Sequence, residues 1–254
     1  MQTNQYNPSP EILYGRNPVF EALNAHHPIE KIFVQFGIKS NALEQIKFLA
    51  KQQGILCAEV SQQRLKELSE GKETQGVVAL VSARVFVEVD DLLNVAKEKG
   101  EKPFLLILDE IEDPQNLGAI IRTAECCGVH GIIIPKHHSA SLSSAVAKSS
   151  AGAIEYMNVA KVTNIVSTIE ELKTHGLWII GTSDDATTGY TDYDYTAPVA
   201  IVIGNEGKGI RKLVKERCDV LVKIPMRGKI SSLNASVAAG VLLYEVVRKR
   251  MWGK

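Results

Sequence analysis

Long apolar runs are missing from this 254-residue sequence, which argues against a membrane-spanning chain. A membrane helix needs roughly 18–20 consecutive apolar residues, and no stretch of the sequence approaches that length. Residues 1–5 have neither the basic start nor the apolar stretch of a secretory signal. We therefore expect a cytoplasmic protein that has no membrane partner.

Cysteine and histidine are sparse and scattered. The four cysteines include no C-x-x-C pair, and so few in a chain of this length do not make a disulfide framework. The six histidines include no H-E-x-x-H motif, and no group of Cys and His residues has the spacing of a zinc site. The sequence therefore predicts reduced thiols and no metal centre.

An overall excess of charge is absent too, because 29 basic residues balance 29 acidic ones. This balance argues against a uniformly basic nucleic-acid binder. The charges are unevenly distributed, however, since residues 204–254 carry 12 basic and 4 acidic side chains. Such a region is either a surface that faces RNA or another anion, or a solvated helix face balanced by acidic neighbours. Charge alone leaves both interpretations open.

Hydrophobic periodicity predicts a tail, a small α/β domain, a connector and a larger domain, over residues 1–10, 11–83, 84–102 and 103–254. In the small domain, alternating or valine-rich stretches predict strands, and apolar residues at helical spacing predict helices. The predicted strands cover residues 29–36, 55–60 and 75–83, and the predicted helices cover residues 41–53 and 61–68.

The larger domain contains continuous apolar runs separated by helical patterns. The runs lie at residues 104–108, 131–134, 177–180 and 199–203. Such runs are typical of parallel strands that are covered on both faces, so they predict an α/β fold with an open, mostly parallel sheet. A long final helix is predicted over residues 231–250, with an apolar stripe at Leu233, Val237, Val241 and Tyr244.

Three segments with unusual polar residues follow predicted strands, where ligands bind in open α/β sheets. Residues 109–124 contain Asn116 and Arg122, which could also be a helix cap and a surface charge. Residues 203–209 have G-x-x-G-x-G spacing, unlike the G-x-G-x-x-G of dinucleotide-binding folds. Residues 224–236 gather four hydroxyl or amide side chains, more than a single N-cap needs: Ser231, Ser232, Asn234 and Ser236.

Together these segments resemble the three motifs of the SpoU/TrmH branch of the SPOUT superfamily, RNA ribose 2′-O-methyltransferases that use S-adenosylmethionine. The matching residues are Asn116, Gly118 and Arg122, then Gly204, Glu206, Gly207 and Gly209, then Pro225, Met226, Ser232, Leu233, Asn234 and Ser236. Residues 14–19 begin a part that is similar to the family's small, ribosomal-protein-like RNA-binding domain. The resemblance is closest to the RlmB type, which modifies a guanosine of large-subunit ribosomal RNA.

The resemblance implies a deep trefoil knot in the larger domain, a homodimer, S-adenosylmethionine as cofactor and no metal. Its partner would be large-subunit ribosomal RNA or an assembly intermediate. The implied cofactor-binding residues are Gly204, Ile224 and Leu233, with Ile203, Met226 and Asn234 beside them. The implied catalytic residues are Arg122, Asn116, Glu206, Ser232 and Asn234.

The role of Arg122 has two interpretations. The family proposal makes it the general base. Because a guanidinium is effectively always protonated, the alternative is that Arg122 holds the adjacent phosphate and stabilises the developing alkoxide. A phosphate oxygen or Glu206 would then accept the proton.

Other functions remain as alternatives. The substrate could be transfer RNA, or an adenosine of ribosomal RNA as in antibiotic-resistance relatives. The protein could also be a ribosome-assembly module that binds RNA without catalysis. A nucleotide-dependent oxidoreductase is disfavoured by the glycine spacing and by Ile224, which stands where an acidic residue is expected.

Overall fold

A computed structural model describes residues 11–82 and 84–252, so the tail predicted over residues 1–10 lies outside the described residues. Contacts divide the chain into two units. The first runs to Val85 and also includes Leu142–Tyr156, and the second contains Phe86–Ser141 and the chain from Met157 onward. None of the described helices is both long enough and apolar enough to cross a membrane.

The first unit contains a four-stranded sheet. Its strands are β1 (Glu11–Tyr14), β2 (Ile29–Gln35), β3 (Leu56–Val60) and β4 (Val77–Val81), in the order β1-β4-β2-β3. β4 pairs antiparallel with β1 and β2, whereas β2 and β3 are parallel. The three predicted strands are confirmed. β1 was not predicted, because four residues are too few for a periodic pattern.

The helices of residues 11–82 are α1 (Arg16–Asn24), α2 (Asn41–Gln52) and α3 (Gln62–Leu68). α2 buries Leu43 and Ile46, as its apolar spacing predicted. α3 follows Ser61, whose Oγ accepts a hydrogen bond from the backbone N–H of Arg64 at 3.2 Å. Both predicted helices are therefore confirmed, whereas α1 was not predicted.

The second unit contains a seven-stranded sheet that is parallel throughout. Its strands are β5 (Phe104–Asp109), β6 (Gly131–Pro135), β7 (Val159–Val162), β8 (Trp178–Thr182), β9 (Thr188–Gly189), β10 (Val199–Gly204) and β11 (Val220–Lys223). Their order is β7-β6-β5-β10-β8-β11-β9. The four apolar runs are strands of this sheet, and β5 and β10 are buried along their whole length.

The helices after residue 84 are α4 (Val89–Glu98), α5 (Pro114–Cys126), α6 (Ser144–Ser149), α7 (Ile165–Thr174), α8 (Lys212–Lys215) and α9 (Ala235–Trp252). α5 packs against α9 in the second unit. α6 and the 3-10 turn Ala153–Glu155 instead pack in the first unit against β1 and α1, although the sequence places them within the larger domain.

The carboxyl ends of the parallel strands meet at one edge of the second sheet, which we call the carboxyl edge. β5 and β10 pair in register, so that Asp109 and Gly204, the last residues of these strands, are neighbours. β8 lies between β10 and β11. The segments that follow β5, β8, β10 and β11 therefore all begin at this edge, where ligands bind in such folds.

The final helix differs from its prediction at its start. It begins at Ala235 rather than at residue 231, because Asn234 caps it: Asn234 Oδ1 accepts hydrogen bonds from Ser236 N at 2.9 Å and Val237 N at 3.4 Å. Leu233 therefore lies outside the helix.

The apolar stripe of this helix faces outward. Val237 and Tyr244 are 50% and 53% exposed. The face of α9 that packs inward is instead formed by Ala235, Ala239, Leu242, Leu243 and Val246. Val237 and Tyr244 of the predicted stripe therefore do not cover the protein's own sheet.

Candidate active site

Polar side chains from the three predicted segments meet at the carboxyl edge. Asn116 lies in the first turn of α5, Glu206 follows β10, and Asn234 precedes α9. Asn116 Nδ2 donates a hydrogen bond to Glu206 Oε1 at 2.6 Å, and Asn234 Nδ2 donates to Asn116 Oδ1 at 2.9 Å and to Glu206 Oε1 at 2.5 Å. These three side chains, which we call the polar triad, form a closed network.

The position of Glu206 explains why an acidic residue suits this network. Besides the two amides, its Oε1 accepts a hydrogen bond from the backbone N–H of Ala235 at 3.2 Å. This N–H belongs to the first turn of α9, where the helix dipole favours a negative charge. Asn116, at 9% exposure, is largely removed from water. Glu206 therefore joins α5, the segment after β10 and the start of α9.

Residues 204–210, which we call the glycine loop, fold back on themselves. Asn205 N donates to Gly209 O at 3.1 Å, and Gly209 N donates to Asn205 O at 2.8 Å. A Cβ atom on Gly204 would lie only 2.2 Å from the carbonyl carbon of Gly209, and Gly209 itself has a φ of +67°. Gly204 is thus required for the loop to close.

Arg122 and Ser232 do not belong to the polar triad. Arg122 is exposed on α5, the same helix that carries Asn116, and Ser232 is exposed in the segment before α9. Neither side chain forms a hydrogen bond or an ion pair with another residue of the described ranges. The structure therefore brings together three of the five predicted catalytic residues and leaves Arg122 and Ser232 available to an outside group.

The residues predicted to bind the cofactor follow two strands of the sheet. Ile203 and Gly204 are buried at the end of β10, while Ile224 and Leu233 are half-buried and Met226 is more exposed, all three after β11. β8 lies between these two strands, so residues 183–186 begin between the two predicted cofactor segments. Sequence reasoning did not select these residues, because strand order cannot be deduced from hydrophobic periodicity.

A second feature that sequence reasoning missed is an ion pair between the buried Asp109 carboxylate and the exposed Arg211 guanidinium. Asp109 is fully buried, at 0% exposure, and accepts hydrogen bonds from Arg211 N to Oδ2 at 2.8 Å and from Arg211 Nε to Oδ1 at 2.8 Å. Arg211 Nη2 lies 2.6 Å from Oδ1. The hydrogen bonds with Asp109 raise the pKa of Arg211 above its ordinary value. The sequence feature that could have pointed to this ion pair is an aspartate at the end of an apolar run.

One group of described side chains could approach a metal ion. Asp90, Glu171 and His175 place ligand atoms within 4.8 Å of one another, and all three are exposed. They lie on α4 and at the end of α7, not with the polar triad. Exposed acidic groups commonly lie this close without an ion, so we assign no metal to the active site.

Two family models match the chain. The SpoU rRNA Methylase family matches residues 103–244. A model described as RNA 2′-O ribose methyltransferase substrate binding matches residues 12–86. The second match lies over the predicted small domain and the first over the predicted larger domain. The first match contains all three members of the polar triad.

Relatives and solved structures agree with these matches. YacO of Bacillus subtilis, named for the TrmH family of tRNA/rRNA methyltransferases, is 48% identical over 240 residues, which cover 94% of this chain and 96% of YacO. A Staphylococcus aureus protein named for the same family is 46% identical over 239 residues, with the same coverage of both chains.

Among solved structures, the SpoU methyltransferase AviRb from Streptomyces viridochromogenes has a TM-score of 0.80 at 28% identity. The alignment covers 97% of this chain and 91% of AviRb. AviRb in complex with the cofactor AdoMet has a TM-score of 0.78 at 26% identity, covering 96% of this chain and 91% of that one.

Proposed function

This chain belongs to the SpoU rRNA methylase family, and we propose that it transfers a methyl group from S-adenosylmethionine to the ribose 2′-hydroxyl of a guanosine in large-subunit ribosomal RNA. The polar triad carries the proposal. It joins residues from all three motifs at the edge of a parallel sheet where ligands bind. Transfer RNA is the second candidate substrate, because the relatives' names include both RNA classes.

The residues at the carboxyl edge fit S-adenosylmethionine. The segment after β11 carries apolar side chains that retain some exposure, Ile224, Leu233 and Met226, and it begins at the same edge as the glycine loop. Apolar side chains and backbone polar groups at one edge suit an adenosine, which needs apolar contact and hydrogen bonds. We assign the adenosine to Gly204, Ile224 and Leu233, with Ile203, Met226 and Asn234 beside them and with residues 183–186 as a further contact. When bound, S-adenosylmethionine supplies the methyl group.

Arg122 holds the RNA rather than acting as a base. A guanidinium suits a phosphate because it presents a planar fork of donors, and no described residue pairs with that of Arg122. We assign it to the phosphate beside the reacting ribose, where it also stabilises the developing alkoxide. Ser232, which is equally unpaired, helps to orient the ribose.

Glu206 has a positioning role in this proposal. Three donors already occupy its Oε1: the amides of Asn116 and Asn234 and the backbone N–H of Ala235. Because these contacts tie Glu206 to α5 and α9, we assign it to holding the shape of the site rather than to exchanging a proton with the substrate. A phosphate oxygen of the substrate is therefore our choice for the group that takes the 2′-hydroxyl proton.

The ion pairs of the second unit suggest which cations contact RNA phosphates. Arg211 is engaged by Asp109, and Lys215 Nζ lies 2.7 and 2.8 Å from the two Asp185 oxygens. Lys208, Arg227 and Lys229 have no such partner within the described ranges. We propose that these free cations meet phosphates near the site. They should therefore account for the salt dependence of RNA binding.

The first unit is the second place where RNA is held. The substrate-binding model covers residues 12–86. Residues 11–82 carry little net charge, so we propose that they recognise RNA shape and exposed bases more than phosphates. Lowering the salt concentration should then strengthen binding mainly through the second unit.

We further propose that the protein is a knotted, cytoplasmic homodimer. The support for a dimer is the outward apolar face of α9, which presents Val237, Tyr244, Met251 and Trp252. Exposed apolar residues in such a row mark a surface that another protein covers. Light scattering should give about twice the 27.8 kDa chain mass. A fully active monomer would contradict the dimer.

The direct test supplies methyl-labelled S-adenosylmethionine with large-subunit ribosomal RNA or with transfer RNA and then maps the 2′-O-methyl position. We expect label on one guanosine of ribosomal RNA. Label confined to transfer RNA, or placed on an adenosine, would overturn the substrate assignment. Tight RNA binding without any methyl transfer would instead support a non-catalytic assembly protein.

A further inference from the structure

The proposed function leaves open the role of the Asp109–Arg211 ion pair, in which the carboxylate is buried and the guanidinium exposed. Resting on that function, we propose that Asp109 and Arg211 are positioning residues that hold the glycine loop in the shape that binds S-adenosylmethionine. Neither residue belongs to the predicted catalytic or cofactor-binding set.

The geometry of the pair supports a strong and directional contact. Asp109 is completely buried, and a buried carboxylate is tolerated only when it is paired and hydrogen-bonded. Arg211 satisfies both oxygens: its backbone N–H binds Oδ2 at 2.8 Å, and its guanidinium binds Oδ1 through Nε at 2.8 Å and Nη2 at 2.6 Å. Because a backbone N–H takes part, the contact fixes main chain as well as side chain.

The pair acts on the glycine loop because the end of β5 contacts both ends of that loop. Asp109 is paired in register with Gly204, where the loop begins, and it binds Arg211, which directly follows the loop. Between these points, Asn205 Nδ2 donates to the backbone oxygen of Glu110 at 3.1 Å. Removing the Asp109 carboxylate would leave Arg211 its longer ion pair with Glu110, at 3.6 Å from Nε, and would so loosen the far end of the loop while its start stayed in the sheet.

This arrangement predicts an effect on cofactor binding and not on the chemical step. Neither Asp109 nor Arg211 is hydrogen-bonded to Asn116 or Asn234, and Arg122 has no hydrogen bond or ion pair with either of them among the described residues. Glu206 lies within the loop, so saturating cofactor, which selects the closed loop, should restore its place in the polar triad. If the loop is binding-competent only part of the time, the apparent cofactor affinity falls by that fraction. Turnover at saturating cofactor and the KM for RNA should change little.

The experiment compares Asp109→Asn with Asp219→Asn in the full chain. Asp219 is a matched control, because it also accepts a backbone hydrogen bond, from Ile179 N at 2.8 Å, and pairs with a cation, Lys173 Nζ at 2.8 Å. It contacts the beginning of β8, away from the carboxyl edge. By calorimetry, Asp109→Asn should weaken S-adenosylmethionine binding at least tenfold, and Asp219→Asn less than twofold. Turnover of Asp109→Asn at saturating cofactor should stay within about threefold of wild type.

Variants of Arg211 keep the test decisive if Asp109→Asn folds poorly. Arg211→Lys preserves the charge but loses the planar fork, so it should weaken cofactor binding by a smaller factor than Asp109→Asn. The double variant Asp109→Asn/Arg211→Gln removes both charges and should bind no worse than Asp109→Asn alone, because the two residues act as one unit.

The outcomes separate this proposal from the proposed function. A wild-type protein that binds no S-adenosylmethionine would overturn the function itself. A wild type that binds it, together with a folded Asp109→Asn that binds equally well, would overturn the positioning role alone. The same conclusion would follow if Asp219→Asn lost as much cofactor affinity as Asp109→Asn, since the effect would then be general destabilisation.

Discussion

The segments that follow β10 and β11 at the carboxyl edge are held in very different ways. In the glycine loop, Asn205 and Gly209 exchange two backbone hydrogen bonds, and Asn205 Oδ1 accepts from Gly207 N at 2.9 Å and Lys208 N at 3.3 Å. By contrast, residues 225–232, which we call the proline segment, are all exposed. They form no hydrogen bond with any residue of ranges 11–82 and 84–252.

This difference indicates which part of the site is already shaped by contacts within the protein. The glycine loop and the polar triad are shaped by internal contacts, so their geometry exists before any ligand arrives. The proline segment has no such contacts and is expected to gain them from cofactor or RNA. Ligand-binding loops commonly come from the less stable parts of a fold. Substitutions in the glycine loop or the polar triad should therefore impair function by distorting the site. Substitutions in the proline segment should impair it by removing ligand contacts.

The largest contrast should come from two glycines. Gly204→Ala places a Cβ 2.2 Å from the Gly209 carbonyl carbon, so the glycine loop must open, and we expect methyl transfer to fall below detection. Gly228→Ala in the proline segment meets no atom within 4 Å and should retain near-normal cofactor affinity. Cofactor calorimetry and labelled-methyl transfer measure both. Equal behaviour of the two variants would contradict the contrast.

Arg122→Ala should have the next largest effect. Because removing one donor to a developing oxyanion costs about 10²–10³ in rate, turnover should fall by roughly that factor. Cofactor affinity should stay within about twofold of wild type, since Arg122 lies outside both segments. Arg122→Lys should recover little, and Glu125→Ala, an exposed neighbour on α5, serves as the control. Near-wild-type turnover in Arg122→Ala would remove its catalytic role.

A smaller loss is expected from Glu206→Gln. The glutamine oxygen can still accept from Asn116, Asn234 and Ala235, but these hydrogen bonds lose the charge that strengthens them. Turnover should fall about tenfold, and the shape of its pH profile should not change. If the substitution abolished an ionisation that wild type shows in that profile, Glu206 would be the proton acceptor and our assignment would be wrong.

The smallest effect concerns the opposite edge of the same sheet. His130 Nδ1 accepts a hydrogen bond from Phe104 N at 3.0 Å at the start of β5, and burial lowers the pKa of His130. The neutral imidazole therefore contributes stability above its unfolded pKa of about 6.5, and this contribution is lost as the pH falls through the lower folded pKa.

Thermal unfolding between pH 8 and pH 5 tests this. His130→Asn keeps an acceptor for Phe104 N but cannot titrate, so its unfolding temperature should fall less with acid than that of wild type. Its cofactor affinity at neutral pH should be normal. Identical pH dependence in the two proteins would show that His130 does not contribute.

Hydrophobic periodicity predicted most of the sheet framework. β5, β6 and β10 each begin where the predicted run begins and extend it by one residue. Burial on both faces imposes continuous apolar runs, so these strands have a strong signal. The start of α9 was misplaced because a single side chain, Asn234, caps the helix, and no pattern marked which of four candidate polar residues would do so.

The site was less predictable, because it depends on contacts between distant parts of the chain. The motifs led to the members of the polar triad, yet Asn116 and Asn234 are separated by 118 positions, and periodicity does not show that they meet. The Asp109–Arg211 pair spans 102 positions and matched no motif that we considered. Strand order, which places residues 183–186 between the cofactor segments, likewise arises only in the folded protein.

Amide hydrogen exchange with and without S-adenosylmethionine tests the central contrast most directly. Without cofactor, the backbone N–H groups of Asn205 and Gly209 should already exchange slowly, and those of the proline segment should exchange fast. With saturating cofactor, we predict strong new protection within residues 226–232 and little further change in the glycine loop. Equal protection of both segments before cofactor is added, or no change in the proline segment afterwards, would contradict the account.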